Sequence, residues 1–164
     1  MNNNSKVLFM SRAAMIAALY VILTMFAAGF DLASGAIQVR FSEALTILPF
    51  FTPAAVPGLA IGCLISNIIT GCNIFDIIFG TLATFIGAAG TYALRKHRYL
   101  CTIPPVISNT IIVPFVLTYA YHLTGGLLYF MLTVGVGEVI CCMFMGQALI
   151  AALMPVKKQM FGNV

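Results

Sequence analysis

The sequence predicts an all-α membrane protein: six transmembrane helices with both termini cytoplasmic, in one domain over residues 1–164. Three observations lead there. Hydrophobic residues make up 62% of the chain and charged residues 7%, where a soluble domain carries about a quarter charged residues. Basic residues fall in three clusters (Lys6 with Arg12; Arg95, Lys96 and Arg98; Lys157 and Lys158), with only Arg40 apart. Prolines divide the one apolar run whose length would spoil the count. At 164 residues there is room for a handful of spans and short loops, and none for a soluble catalytic domain.

The first apolar run covers residues 7–30, after a polar tail. It lacks the small-residue cleavage site of a secretory signal, so it is expected to remain as a first span. Ala13, Ala14, Ala17 and Ala18 form a double small-xxx-small pattern on it. Such a strip lets another helix approach closely in lipid. Two readings stand, a docking face for a partner or tight packing inside the chain's own bundle. Residues 36–41 alternate apolar and polar and suggest an extended loop or small hairpin.

Residues 44–70 could form one helix, but Pro49, Pro53 and Pro57 each interrupt helical hydrogen bonding. Splitting near Pro53 gives a short span over 42–52 and a fuller one over 55–70. Further spans follow at 74–94, 101–121 and 127–154, the last two joined by residues 122–126. If all basic clusters are cytoplasmic, an even number of spans separates each pair. The split satisfies this and the unsplit helix does not. The short span is the weak point: about eleven residues of α-helix rise only about 16 Å, half the hydrocarbon thickness. It must start earlier, lie in thin bilayer, or be covered by neighbours.

Asp31, Glu43 and Asp76 then fall at outer span ends, and Glu138 about 16 Å into the last span. A carboxylate at that depth is paired, protonated or beside water. Gly135 and Gly137 beside it allow close approach. Glu138 is thus either a ligand-binding acid in an outward-facing cavity or an acid satisfied by an internal partner such as Asn109. Asn109 and Asn67 are further site candidates, or interhelical hydrogen bonds. Asp76 is a candidate contact or a cap on its helix from outside, since acids favour helix N-termini, and Arg40 and Glu43 are close enough to pair. Phe41, Tyr119, Tyr121 and Tyr129 offer stacking surfaces or an interfacial belt.

The five cysteines (Cys63, Cys72, Cys101, Cys141, Cys142) lack metal or redox spacing and read as buried small hydrophobes. No metal or cofactor is expected. The net charge of +4 is explained by topology rather than nucleic acid. There is no phosphate loop and no ladder of intramembrane charges. His97 and His122 with one deep acid make a poor catalytic set, so an enzyme is disfavoured. The inventory suits binding of a small polar solute.

The segment 40–58 (RFSEALTILPFFTPAAVPG) resembles the signature of the queuosine-precursor transporter (QueT) family. The runs 62–67, 76–84, 104–109 and 134–138 continue the likeness along nearly the whole chain. The resemblance implies a substrate-binding S-component of an energy-coupling-factor (ECF) transporter in the bacterial plasma membrane. Its substrate would be a 7-deazaguanine-type queuosine precursor captured from outside. Its partners would be a transmembrane coupling protein and two cytoplasmic ATPases, besides the lipid bilayer. It implies an Ala-xxx-Ala docking motif, mapping here to Ala13/Ala17 or Ala14/Ala18, and a site near Glu138, Asn109, Asp76, Glu43, Arg40 and Asn67. An acid and an asparagine suit the ring amide and amine; a second acid would meet a charged aminomethyl group. Substrate would close the outer connections, and ATP hydrolysis in the partner would topple the chain inward. A stand-alone secondary transporter or channel is the alternative; it would need coupling-ion residues and usually an inverted repeat, and no convincing repeat is present.

Overall fold

The computed structural model describes residues 3–30, 40–121 and 126–161. Asp31, His122 and most of the alternating 36–41 stretch lie outside them. The described residues are helical, without strands. Helix α1 spans Asn3–Gly29, and a 3₁₀ helix spans Phe41–Phe50. Then follow α2 (Ala55–Ile69), α3 (Ile74–Ala93), α4 (Ile103–Tyr119) and α5 (Leu127–Glu138). A π-helical stretch, Val139–Met145, leads without a break into α6 (Gly146–Leu153), and α7 (Lys157–Phe161) closes the chain.

Four runs are long and apolar enough to cross a bilayer: Asn3–Gly29, Ile74–Ala93, Leu100–Tyr119 and Leu127–Leu153. Phe41–Phe50 and Ala55–Ile69 are shorter apolar helices. Large apolar side chains such as Met15, Ile22, Phe26, Ile68, Phe85, Ile111, Leu132 and Phe144 face outward on every long run. Water would make that surface an aggregation site, and lipid accommodates it. The protein is a multi-pass membrane protein.

The short span resolves differently from the α-helical expectation. Residues 41–50 coil as 3₁₀, whose rise of about 2.0 Å per residue extends ten residues to about 20 Å. Runs this long are uncommon because the hydrogen bonds are poorer. Here every residue from Ser42 to Pro49 is buried, against α1, α2, α3, α6 and the π stretch. Neighbours therefore cover the short segment. Leu45, Ile47, Leu48 and Phe51 join Ile16 and Tyr20 of α1, Leu59 and Cys63 of α2, and Ile150 of α6 in the main core.

Contacts fix the directions. A Cβ on Gly58 would lie 2.7 Å from the Ala13 carbonyl oxygen, and one on Gly62 would lie 2.7 Å from Tyr20 Cβ, so α1 and α2 run parallel. The 3₁₀ helix runs back between them, from Glu43 beside Tyr20 to Phe51 stacked on Phe161 at 5.2 Å. Gly87 meets Pro105 and Gly90 meets Pro104, which sets α3 antiparallel to α4. Arg12 Nη2 donates to the Met160 carbonyl at 3.2 Å, and Arg98 Nε donates to Gln147 at 3.4 Å. The basic segments at the start, the α3–α4 turn and the chain end are thus tied to one another's neighbourhoods.

The α1–α2 contact divides the alanine strip. Ala13 and Ala17 are buried against Gly58 and Gly62, whereas Ala14 and Ala18 remain exposed. Gly58→Ala should destabilise the fold by about 1–3 kcal/mol, since its methyl group meets backbone that has nowhere to move. Gly126→Ala, with nothing within 4 Å, should leave the melting temperature in detergent unchanged. Equal melting of the two variants would show the α1–α2 contact to be loose.

Candidate functional site

A buried polar cluster occupies the centre of this apolar bundle. In a 3₁₀ helix residues three apart eclipse, so Glu43 and Thr46 share a row. Tyr20 Oη on α1 donates to Glu43 Oε1 at 2.6 Å. Asn109 Nδ2 on α4 donates to Glu43 Oε2 at 3.2 Å and to Glu138 Oε1 at 3.0 Å. Cys142, one helical turn beyond Glu138, donates its thiol to Glu138 Oε2 at 3.2 Å. Its sulfur also lies 3.4 Å from Thr46 Oγ1. All of these residues are buried.

Arg40, Glu43, Gly80, Thr84, Asn109, Val113, Val134 and Glu138 line a cavity of about 10 Å³ at this cluster. That is room for about one water. Two larger clefts, of about 360 and 500 Å³, lie along the α3–α4 face. Phe75, Phe79, Ile111 and Phe115 line the first, Ile86, Leu94, Ile103 and Ile107 the second. Neither has charged side chains to orient a polar solute, so the small polar cavity is the candidate site.

Asp76 and Asn67 adjoin this cavity across Gly80. A Cβ on Gly80 would lie 3.2 Å from both Asp76 Oδ1 and Asn67 Nδ2. Asn67 Nδ2 donates to the Asp76 carbonyl at 3.3 Å, and Tyr121 Oη donates to Asp76 Oδ2 at 3.4 Å. The N-cap of α3 is Asn73, whose side chain accepts from Phe75 N at 3.1 Å. Asp76 lies in the first turn and its carboxylate turns to Tyr121, so it does not cap. Burial opposes charge on the Arg40 guanidinium. Asp76 first, then the Tyr20 hydroxyl and Glu43, act the other way and raise its pKa.

Glu43, Asp76, Glu138, Asn67 and Asn109, singled out in the sequence, therefore meet at or beside one cavity, while Asp31 lies outside the described residues. Glu138 does have Asn109 as an internal partner, and that partner also bridges it to Glu43. Sequence reasoning passed over Tyr20, Thr46, Thr84 and Cys142. A lone tyrosine amid residues 7–30 was the available signal for Tyr20. Cys142 is more than a small hydrophobe, because its thiol satisfies a buried carboxylate. Oxygen and sulfur ligand atoms of Glu43, Glu138 and Cys142 lie within 4.8 Å of one another. Tyr20, Asn109 and Cys142 itself already donate to these carboxylates, so the group reads as a hydrogen-bonded cluster rather than a metal cage.

The family model described as QueT transporter matches residues 10–155. The chain belongs to the QueT transporter family. That family is one of transporters rather than enzymes. A curated relative, the queuosine precursor transporter QueT of Lactococcus lactis subsp. cremoris (strain MG1363), is 41% identical over 73 residues. The aligned stretch covers 44% of this chain and 43% of that relative. No solved structure matches. The QueT family match takes in every residue of the polar cluster, from Tyr20 to Cys142.

Tyr20→Phe removes the hydroxyl that satisfies Glu43. It should lower unfolding stability by about 1–3 kcal/mol, the range for stranding a buried acceptor. Thermal unfolding in detergent reads this directly. An unchanged melting temperature would mean that Glu43 finds another donor.

Proposed function

We propose that the chain is the substrate-binding S-component of an ECF-type importer in the bacterial cell membrane. It captures a 7-deazaguanine-type queuosine precursor from outside and delivers it inward. The observation that carries this reading is the Glu43–Asn109–Glu138 cluster, a buried hydrogen-bonding site inside a QueT-family membrane bundle. Intramembrane carboxylates are expensive and mark substrate pathways. A nitrogen-rich heterocycle offers the donors that acids and amides recognise, and a site built this way rejects solutes lacking them.

In this reading the chain is one membrane domain that crosses six times, the four long runs and two shorter apolar helices each passing once. Both ends lie inside, which gathers the basic residues other than Arg40 on the cytoplasmic face. Glu43, Asn109, Glu138 and Arg40 contact substrate directly, with Asp76 and Asn67 at the outer edge of the site. The cavity opens to admit a bicyclic base, since about 10 Å³ does not hold one.

Partners are a transmembrane coupling protein and two cytoplasmic ATPases. Docking uses the Ala14/Ala18 row of α1. Ala13 and Ala17 are taken up by α2, while Ala14 and Ala18 present a small-residue surface toward the lipid.

Three measurements test this. The purified chain should bind 7-deazaguanines and not unrelated vitamins; binding a vitamin alone would overturn the substrate. Glu138→Gln and Asn109→Ala should each weaken that binding at least tenfold, and unchanged affinity in both would remove them from the site. Ala14→Leu and Ala18→Leu should keep substrate affinity yet abolish uptake in cells expressing the partner proteins. Normal uptake in both variants would place docking elsewhere.

A further inference from the structure

The two larger clefts along α3 and α4 form one groove. Ile111 and Ile112 of α4 line both, so the clefts continue into one another along the seam between the helices. The larger runs from Ile112 to Ile103 and Leu94. Residues 103–112 of α4 rise about 14 Å, close to one leaflet of a hydrocarbon core about 30 Å thick. The floor lacks bulk: Gly90 lies directly against Pro104, and Ser108 turns its hydroxyl back to donate to the Pro105 carbonyl at 3.1 Å. Ile86, Leu94 and Ile107 stand exposed as walls. Apolar walls over a floor whose hydroxyl is already bonded fit hydrocarbon and offer little to a polar solute.

The groove ends at a patch of positive charge. Helix α3 stops at Ala93, and the turn after Leu94 carries Arg95, Lys96 and Arg98. The Arg95 guanidinium lies 4.2 Å from the centroid of the Tyr92 ring. Arg98 is tied to α6, its Nε donating to Gln147 Oε1 at 3.4 Å and its carbonyl accepting from Gln147 Nε2 at 2.8 Å. Neither contact neutralises a charge, and Arg95 and Lys96 are exposed. The described carboxylates lie elsewhere. Glu43 and Glu138 are in the central cluster, and Asp76 is in the first turn of α3, about 26 Å from its last residue. Tyr99, exposed beside the basic residues, is the residue type that settles at the membrane–water boundary. The hydrocarbon groove therefore opens onto cations that lack an anionic partner among the described residues.

We propose that the α3–α4 groove seats an anionic phospholipid, with one acyl chain along residues 103–112 and the phosphate on Arg95 and Lys96. Basic pockets between membrane helices hold anionic head groups in this way. The guanidinium of Arg95 offers a planar fork that matches two phosphate oxygens, and the ammonium of Lys96 adds a point charge. A zwitterionic lipid brings a cationic head group of its own to the same patch and is repelled from it. The bound lipid neutralises the turn and fills the seam that α3 and α4 leave open. The seat requires only the membrane bundle and is independent of what the chain transports.

Native mass spectrometry of the delipidated full chain tests this, with phosphatidylglycerol and phosphatidylethanolamine of the same acyl chains offered in equal amounts. The wild-type chain should retain phosphatidylglycerol about tenfold over phosphatidylethanolamine, as two nearby cations warrant. Arg95→Gln with Lys96→Gln should bring that ratio to about one. Lys157→Gln with Lys158→Gln removes the same charge at the chain end and should leave the ratio in place. Ile107→Trp crowds the groove from its exposed wall and should lower retention of both lipids about fourfold, the worth of one buried methylene. Equal retention of the two lipids by the wild-type chain overturns the proposal, whether or not any variant folds. A ratio lost equally in both double variants reduces the preference to net charge and overturns the site. Complete displacement of phosphatidylglycerol by millimolar inorganic phosphate overturns the acyl-chain seat. A wild-type dimer that Ile107→Trp converts to monomer overturns the lipid in favour of a second copy of the chain.

Discussion

The amide of Asn109 joins two carboxylates that the bilayer would otherwise force apart. Like charges at this separation repel, and each buried acid needs donors from within the protein because lipid supplies none. Asn109 gives one hydrogen to each. Tyr20 and Cys142 complete the set from α1 and the π stretch. Four parts of the chain, α1, the 3₁₀ helix, α4 and the last long helix, thus meet at one hydrogen-bonded point. The bundle is arranged around that point as much as around its apolar core.

Two departures from α-geometry sit next to it. The 3₁₀ run carries Glu43 and the π stretch carries Cys142. Each has weaker helical hydrogen bonding than an α-helix and persists only where surrounding packing holds it. One winds tighter and the other looser than α, which changes where successive side chains point. Thr46 reaches the Cys142 sulfur across the line where these two irregular helices meet. π stretches recur at functional sites.

The sequence made the apolar runs readable because their breaks are chemical. Expected spans at 55–70, 74–94 and 127–154 differ by a residue from Ala55–Ile69, Ile74–Ala93 and Leu127–Leu153. Proline, glycine and asparagine punctuate those ends and act locally. The acids and amides were legible too, since a polar group inside an apolar run stands out against its neighbours. The 3₁₀ winding of residues 41–50 was not legible, because it is imposed by helices distant in sequence. Tyr20 was hidden by the same cause: its partner Glu43 lies 23 residues away. Gly58 and Gly62 stand four residues apart, as Ala13 and Ala17 do, which is the spacing of close helix contacts; that these two rows meet each other, with α1 and α2 parallel, appears only in the structure.

Helix α1 shows how far such long-range placement changes the meaning of a pattern. Two alanine rows between which the sequence does not choose are divided by a single neighbour, one buried and one exposed. The buried row lies against α2 so closely that a methyl group on Gly58 would strike backbone. The same side of α1 ends at Tyr20, whose hydroxyl holds Glu43 at 2.6 Å. Between the exposed Ala18 and the polar cluster there are then only two residues of rigid helix and one hydrogen bond. Close packing against α2 leaves little slack for α1 to move without α2 and the 3₁₀ helix moving as well. The exposed alanine row is therefore linked to the carboxylates through Tyr20 and its hydrogen bond to Glu43.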